Sequence, residues 1–321
     1  MDLHVHLHDR YILREEEQII DEQTKTQIHE ALISFISQLV DIGELLIENL
    51  KHIYVTNNYT EELEAFQTKH GLNVGHTKNE IGEGFAMTLS YINEDAGEEQ
   101  AIFLRAEVLF GLFNEEVQEG NRLSKNLLYH ELAHVSDHLH QKRMFDKNEF
   151  RDLDLLPAIL YDLSLHIWQE YYAYRKAATL FPSSDFQLDS FGETLDWFYD
   201  RSKQYIKNCN GDYDYLMKNM YGDAGYLFRT AASIHGNLQG FQIDDLRKQE
   251  MLGSIITIFA NNYWVDIFEE LGIELINLYN TYPRWQGYEQ LEKLNQIVIK
   301  TFNRLGVFPQ EAGSRIFVEL K

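Results

Sequence analysis

Apolar residues recur every three or four positions through most of this chain, which is the spacing of amphipathic helices. Only four prolines occur in 321 residues, so few positions would break a helix. The pattern predicts a first long helix from Ile28 to Leu46, and beyond Gly120 it predicts helices almost to the end of the chain. The predicted later helices run from Ser124 to Lys142, from Pro157 to Leu180, from Phe191 to Lys207, from Tyr213 to Ile234, from Leu246 to Tyr279 with a break near Gly272, and from Tyr288 to Leu305.

A second pattern, typical of strands, occurs mainly between the first helix and Glu107. His52–Val55 is predicted to be a short strand, and Glu61–Lys69 a helix that ends before Gly71. Two further strands are expected, one from Phe85 to Ile92 and one from Gln100 to Leu104. They are separated by a polar turn and so plausibly form a hairpin or lie side by side. Arg315–Leu320 favours a last short strand. The predicted fold class is therefore α+β, mainly α-helical, with a small β-sheet.

The chain has no internal repeat or long linker that marks a domain boundary. We expect an N-terminal segment and helix over residues 1–50, a core over residues 51–208 and a helical C-terminal extension over residues 209–321. The polar stretch Asn208–Asp212 would be the division between the last two, although ordinary loops have the same composition. The three segments could equally form one domain.

Composition narrows the functional classes. The formal net charge is −23, and no cluster of Lys and Arg occurs, so we expect no nucleic-acid partner. The single cysteine, Cys209, excludes an internal disulfide and a multi-cysteine zinc site, and it fits a reducing compartment. Neither a secretory signal nor an uncharged apolar stretch of about 18 residues is found. We therefore expect a cytoplasmic protein with no membrane partner, and the oligomeric state is left open.

The segment His130-Glu131-Leu132-Ala133-His134 carries the chemistry that the chain most clearly predicts. On a helix, residues four apart differ by only about 40° around the axis and about 6 Å along it, so both imidazoles can reach one ion. The glutamate beside the first histidine projects to the side, where it can take a proton from a metal-bound water. This HExxH spacing therefore predicts two metal ligands, His130 and His134, and a general base, Glu131.

The position of this segment on its helix decides between two interpretations. An apolar stripe lies roughly opposite both histidines, so the helix can contact the core on one side and line a cleft on the other. The alternative is that both imidazoles are solvated groups on the polar face. The stripe consists of Leu128, Leu132, Val135 and Leu139.

A third protein ligand would be needed for a hydrolytic zinc site, which keeps one position for water. Glu170 is the first candidate, because it lies among aromatic residues of the next predicted helix, where an unpaired carboxylate would be costly to desolvate. The alternative role for Glu170 is that of a surface carboxylate or of an ion-pair partner of Arg175. His138, one turn beyond His134, is the rival ligand. We favour Glu170, since one helix cannot easily direct three successive turns at one tetrahedral ion.

His130-Glu131-Leu132-Ala133-His134, followed on a second helix by Glu170-Tyr171-Tyr172-Ala173, resembles the gluzincin class of zinc metallopeptidases, and most of all its compact cytoplasmic ImmA/IrrE-type members. The resemblance covers roughly residues 50 to 180. It implies a zincin-like core, His130, His134 and Glu170 as ligands of Zn²⁺, and Glu131 as general base and acid. The residues after His134 do not fit the His-x-x-x-His-x-x-Gly-x-x-His pattern of metzincins.

Supporting residues of such a site are harder to assign. Asp137 or Asp162 could orient a ligand imidazole, and the sequence does not choose between them. A donor to the developing oxyanion is also expected in this class, generally a tyrosine or histidine. The candidates are Tyr171, Tyr172, Tyr174, Tyr226 and His235.

A second histidine-rich motif, His4-Val5-His6-Leu7-His8, lies near the N-terminus. His-x-His on a strand resembles the first metal-binding strand of PHP-type and amidohydrolase-like hydrolases, because alternation would direct His4, His6 and His8 to one side. Those folds are barrels of repeated β–α units, whereas here a charged segment and long helices follow. An edge strand or a disordered run of histidines is the expected alternative, and an adventitious metal site is a third interpretation.

The sequence thus predicts a zinc metallopeptidase, a hydrolase whose partners are peptide or protein substrates. Zinc would activate a water, and Glu131 would act as general base. Two alternatives stay open. One is a non-catalytic regulatory or binding protein on a zincin scaffold, and the other is a metal-dependent hydrolase that uses the N-terminal histidines.

Overall fold

The structure is a computed structural model that describes residues 2–13, 16–72, 84–94, 97–145, 153–183, 186–242, 245–260, 262–312 and 315–321. It confirms the predicted fold class, since 66% of the described residues are helical and 16% lie in strands of small sheets. The helices are α1 Glu22–Gly43, α2 Tyr59–Lys69, α3 Ala106–Phe113, α4 Gln118–Met144, α5 Leu155–Leu180, α6 Phe186–Asn208, α7 Tyr213–Gly240, α8 Leu246–Phe259, α9 Val265–Thr281 and α10 Glu292–Arg304. The strands are β1 His4–His6, β2 Arg10–Leu13, β3 Glu16–Ile19, β4 Leu50–Thr56, β5 Ala86–Asn93, β6 Gly97–Arg105, β7 Val307–Ala312 and β8 Arg315–Leu320.

The chain divides into two compact units. The first comprises Met1–Leu139 and Lys176–Ser183, and the second comprises His140–Arg175 and Ser184–Lys321. Helices α4 and α5 each contribute residues to both units. Among the described residues, no helix is both long enough and apolar enough to cross a membrane.

A four-stranded sheet in the order β1-β4-β6-β5 forms the centre of the first unit. Strand β4 pairs in parallel with both β1 and β6, and β5 pairs antiparallel with β6. The predicted neighbouring strands near residues 85–104 are therefore confirmed as an antiparallel pair, although residues 95–96 of the predicted turn lie outside the described ones. Because side chains alternate along a strand, Ile102 and Leu104 contact the core shared with α1 and α4, while Ala101 and Phe103 lie in a separate cluster with α2.

The hairpin of β2 and β3 was not predicted, because its strands are mostly polar and exposed. Tyr11 is the exception, since it is fully buried and its ring contacts Phe110 edge to face at 5.4 Å. The Tyr11 hydroxyl accepts a hydrogen bond from the His8 amide at 2.8 Å. One buried aromatic thus fixes a hairpin that has little apolar periodicity of its own.

Helix α4 begins at Gln118, so the predicted start at Ser124 is wrong. Ser124 is buried inside the helix, and its hydroxyl occupies the space that a Cβ at Gly111 of α3 would need. Asn121, one turn earlier, donates from its side-chain amide to the Gly111 and Leu112 carbonyls at 2.9 and 2.6 Å. A residue type that favours helix starts is used here for close packing between two helices.

The central part of α4 is held on several sides within the first unit. The predicted apolar stripe is confirmed, since Leu128, Leu132 and Val135 are fully buried. Ser136 accepts a hydrogen bond from the Leu46 amide at 3.0 Å, just after α1. Gly43, the last residue of α1, leaves room for the Tyr129 hydroxyl, which a Cβ would displace. The helix is therefore fixed in its rotation about its own axis.

In the second unit, the predicted single helix from Leu246 to Tyr279 is two helices. Helix α8 ends at Phe259 and helix α9 begins at Val265, so the predicted break near Gly272 is wrong. Gly272 lies inside α9, where the ring of His235 from α7 fills the space beside it. A glycine that suggested a helix break therefore permits close approach of a side chain instead.

We expect the variant Gly272→Ala to destabilise the second unit by about 1–3 kcal/mol, the usual cost of overpacking a core. An added Cβ would lie 2.4 Å from His235 Cε1. The ring cannot withdraw easily, because its Nε2 is 2.9 Å from the Phe268 carbonyl and it stacks on the Phe268 ring at 4.0 Å. Urea unfolding followed by tryptophan fluorescence measures this effect, since all four tryptophans belong to the second unit.

Gly253→Ala is the matched control, because a Cβ at this exposed position of α8 would meet no atom within 4 Å. We expect it to stabilise the protein by about 0.5–1 kcal/mol through helix propensity alone. If both alanine variants changed stability equally, close packing at Gly272 would not explain the effect.

Candidate metal centre

The two histidines of the HExxH segment lie on α4 with their rings turned toward each other. His130 Nε2 and His134 Nε2 are 2.9 Å apart, and the ring planes are nearly perpendicular with centroids 4.5 Å apart. Two nitrogens bound to one tetrahedral ion by metal–imidazole bonds of about 2.0–2.1 Å lie about 3.3 Å apart, so the two rings need to separate by only a few tenths of an ångström to hold it. The helical spacing of four residues therefore has the geometric result that was predicted.

Burial is the observation that separates a candidate site from a solvated helix face. The side of α4 that carries the motif is covered, since His130 is 7% exposed and Glu131 is 5% exposed. The alternative of a solvated polar face is therefore wrong for His130, while His134 is half-buried. Burial, followed by the proximity of His134, holds the pKa of His130 well below its usual value. His130 is accordingly a neutral imidazole at neutral pH, the form that binds metals.

Glu170 of α5 completes the cluster. One ligand atom from each of His130, His134 and Glu170 lies within 4.8 Å of the others, and this group could hold a metal ion. The neighbours of Glu170 on α5 are fully buried aromatics, Trp168 and Tyr171, as expected. Arg175, the alternative partner, donates to the Tyr171 hydroxyl at 2.6 Å and lies 3.6 Å from the centre of the Tyr279 ring.

His138, the rival ligand, is placed differently. Its Nε2 is 2.7 Å from Glu98 Oε1 at the start of β6, so the imidazole is bonded to a carboxylate. Within the described ranges, the three residues whose ligand atoms already lie within 4.8 Å of one another are the two HExxH histidines and Glu170. The structure thus brings together the three residues that were favoured.

Glu131 has a partner that the sequence did not reveal. The Thr88 hydroxyl of β5 lies 2.7 Å from Glu131 Oε2 and 3.2 Å from the Glu131 carbonyl oxygen. The hydroxyl has a single proton, and the shorter contact, to the side-chain oxygen Oε2, is the stronger bond. Thr88 therefore holds Oε2 of the predicted general base.

Thr88 was missed because it is 43 residues from Glu131 in sequence. The only local signal is its place in the strand pattern. Thr88 pairs with Ile102 across the β5–β6 hairpin, and Ile102 lies in the core that includes α4. A hydroxyl on the core side of an edge strand needs a polar partner, and the buried glutamate of α4 is that partner.

The remaining candidate residues have separate positions. Asp162 is exposed, and its carbonyl lies 2.8 Å from His166 Nδ1, whereas Asp137 is fully buried on α4. Among the candidate oxyanion donors, Tyr171 is fully buried, and desolvation raises its pKa to about 12. His235 is bonded to the Phe268 carbonyl, and burial lowers its pKa to about 4. Tyr172 is buried, while Tyr174 and Tyr226 are half-buried.

The N-terminal histidines lie on a sheet edge, not in a barrel strand. His4–His6 forms β1 at one edge of the four-stranded sheet, next to β4. His8 lies beyond the strand and its Nε2 is 3.0 Å from Glu62 Oε2. In the described part of the chain, His4 and His6 thus lie on an edge strand of a mixed four-stranded sheet, as the edge-strand alternative predicted.

Comparisons with known proteins do not add a family to this description. The chain matches no family model, no curated protein and no solved structure. The interpretation of the cluster therefore depends on its geometry, its burial and the chemistry of its residues.

Proposed function

We propose that this protein is a zinc-dependent peptidase of the gluzincin type. The observation that carries the proposal is the group formed by His130, His134 and Glu170, next to a buried glutamate, Glu131, on the same helix. A metal site needs only ligands, whereas a hydrolytic site also needs a base beside them. The buried carboxylate, hydrogen-bonded to Thr88, is that further group.

The residues present suit Zn²⁺. Two imidazole nitrogens and one carboxylate are the ligand set of many hydrolytic zinc sites, in which the fourth position is kept for water. His130 supports this assignment, because its low pKa makes the neutral ring available without loss of a proton. When bound, Zn²⁺ would lower the pKa of a water toward neutrality and polarise the carbonyl of the scissile bond.

Glu131 moves the proton in the proposed reaction. Its carboxylate takes a proton from the attacking water, the water oxygen bonds to the scissile carbonyl carbon, and the C–N bond breaks. The same carboxyl then gives the proton to the leaving amine nitrogen. Thr88 keeps Oε2 in place through its hydrogen bond, so the carboxylate keeps one orientation through both transfers.

The edge of the sheet offers a place for a peptide. Strand β5 is the last strand of the sheet, and among the described strands it pairs only with β6. An extended peptide can add to such an edge through main-chain hydrogen bonds. Thr88 ties this strand to Glu131 of α4, so a peptide on β5 would lie beside the proposed base. The proposed substrates are therefore unfolded or extended polypeptide segments.

The proposal is tested by proteolysis and metal content together. Zinc-loaded protein is incubated with a mixed peptide library, and cleavage is read by mass spectrometry with and without 1,10-phenanthroline. We expect cleavage that the chelator stops and that zinc restores, with one zinc per chain lost in His134→Ala. Zinc bound with no cleavage of any peptide would instead favour the alternative, a non-catalytic binding protein on this scaffold.

A change at Thr88 tests the positioning of Glu131. Thr88→Val keeps the shape of the side chain and removes its hydroxyl, so we expect kcat to fall about tenfold, since a hydrogen bond to a charged group contributes about 1.5–3 kcal/mol. KM and zinc content should not change, because Thr88 contacts neither the proposed ligands nor a substrate pocket in this role.

Thr88→Ser is the matched control, since it keeps the hydroxyl and should retain most of kcat. Equal loss in the serine and valine variants would mean that packing of the methyl group, and not the bond to Glu131, is what matters. Unchanged kcat in the valine variant would remove Thr88 from the proposed mechanism.

A further inference from the structure

A second group of imidazoles lies on the sheet of the first unit, apart from the HExxH residues. Strand β1 pairs in parallel with β4 so that His4 is opposite His52 and His6 is opposite Tyr54. His6 Nε2 is 3.0 Å from His52 Nδ1. The His4 ring stacks on the His52 ring with centroids 5.6 Å apart. Three imidazoles from two strands, with a separation of 46 residues between His6 and His52 in sequence, thus share one face at the edge of the sheet.

The spacing of the close pair is that of two ligands on one ion. Two nitrogens bound to one metal at about 2.0–2.1 Å, with an angle near 90°, are about 2.9 Å apart. The side chain of His4 is 64% exposed, so its ring is free to rotate toward the pair as a third donor. Water can fill the remaining positions, because His6 is exposed and His52 half-buried.

The surroundings of the pair favour a cation. Asp2 Oδ1 is 3.7 Å from His4 Nε2, and the negative charge of Glu99 acts on His52. Glu99 is buried and held by hydrogen bonds from the Tyr91 hydroxyl at 2.7 Å and the Asn93 amide at 3.0 Å. A fixed carboxylate near an imidazole ligand is a common feature of metal sites. The opposing positive charges are that of Lys69 and, when these rings are protonated, those of His4 and His70.

The aromatic side chains around the pair limit its motion on one side. The Tyr54 ring stacks on His6 with centroids 4.2 Å apart and nearly parallel planes. His52 also lies 5.8 Å from the Tyr54 ring. Tyr54 itself stacks on Phe103 in the hydrophobic cluster next to α2. The ring that contacts the two imidazoles therefore belongs to the packed part of the unit. The two imidazoles are therefore placed by the fold and not by chance contact of mobile side chains.

We propose that His6 and His52, with His4 as a third donor, bind one divalent transition-metal ion of the kind that prefers imidazole, such as Ni²⁺ or Cu²⁺. Neutral imidazoles bind Ni²⁺ and Cu²⁺ more readily than they bind Mg²⁺ or Ca²⁺, which prefer oxygen ligands. The site is independent of the proposed peptidase centre, because it shares no residue with it. The alternative for the same geometry is a plain hydrogen bond between two imidazoles, which would need no ion.

The test is calorimetric titration of the full-length protein with Ni²⁺. We expect His6→Gln and His52→Gln each to lower the number of bound Ni²⁺ ions by one per chain, or to raise the dissociation constant of that ion at least tenfold. His8→Gln is the matched control, since His8 belongs to the same run but its ring is bonded to Glu62. The control variant should bind Ni²⁺ like the unmodified protein.

His134→Ala separates this proposal from the peptidase proposal, because it should remove an ion at α4 and leave the ion of His6 and His52 bound. Circular dichroism confirms that each variant is folded, and His6→Gln, an exposed change, keeps the test valid if His52→Gln does not fold. Ni²⁺ binding that is the same in all the variants of β1 and β4 overturns the proposal. So does equal loss in His8→Gln, which would indicate unspecific binding by the histidine run.

Discussion

The variant Glu131→Gln should lower peptide hydrolysis by about 10²–10⁴-fold while one zinc per chain stays bound. General acid–base catalysis contributes a factor of this size, and glutamine cannot accept a proton at neutral pH. The side chain keeps its shape, so the fold of α4 and the imidazoles on either side of it should not change. The measurement compares initial rates and metal content in the same preparations.

The surroundings of Glu131 make this a clean test. The residue is 5% exposed, so a solvent water or a neighbouring mobile acid cannot easily replace it. The Thr88 hydroxyl can still donate to the amide oxygen of the glutamine, which keeps the local hydrogen bond. Loss of rate with zinc retained would therefore report the missing base and not a collapsed site.

His166→Gln is a control for the effect of a glutamine substitution in general, because His166 is exposed on α5 and bonded to its own helix. We expect its rate and zinc content to equal those of the unmodified protein. If Glu131→Gln hydrolysed peptides at the full rate with zinc bound, the proposed role of Glu131 would be refuted.

The parts of this fold that could be predicted are those with a strong local pattern. The stripe of Leu128, Leu132 and Val135 repeats at helical spacing, and all three are buried as expected. The HExxH geometry follows from one helix, so the convergence of His130 and His134 needed no knowledge of the rest of the fold.

The features that were missed depend on contacts between distant segments. Ser124 has the side chain of a helix start, yet tertiary packing against Gly111 places it inside α4. Gly272 resembles a helix break, yet it makes room for His235. Thr88 reaches Glu131 across 43 residues. Ser124 and Gly272 were noticed in the sequence and Thr88 was not, but the partner of each lies in another element, which local patterns do not encode.

The third ligand is the part of the peptidase proposal that the sequence left most open, and Glu170→Ala should settle it with a large effect. We expect zinc affinity to fall at least about 100-fold. The loss of a residue that only hydrogen-bonds to a metal ligand already lowers metal affinity by about 10–100-fold, and the loss of a ligand should lower it further. Hydrolysis should fall with it at limiting zinc. The measurement is competition for zinc against a chromophoric chelator, followed by elemental analysis after dialysis.

His138→Ala is the decisive comparison, since His138 was the rival ligand and continues the face of α4 beyond His134. Its ring is bonded to Glu98 at 2.7 Å, so its removal should leave zinc affinity unchanged. The opposite result, zinc retained in Glu170→Ala and lost in His138→Ala, would make His138 the ligand and would remove the gluzincin assignment. Zinc lost in both variants would point to a rearranged α4, which His166→Ala, an exposed change on α5, would not share.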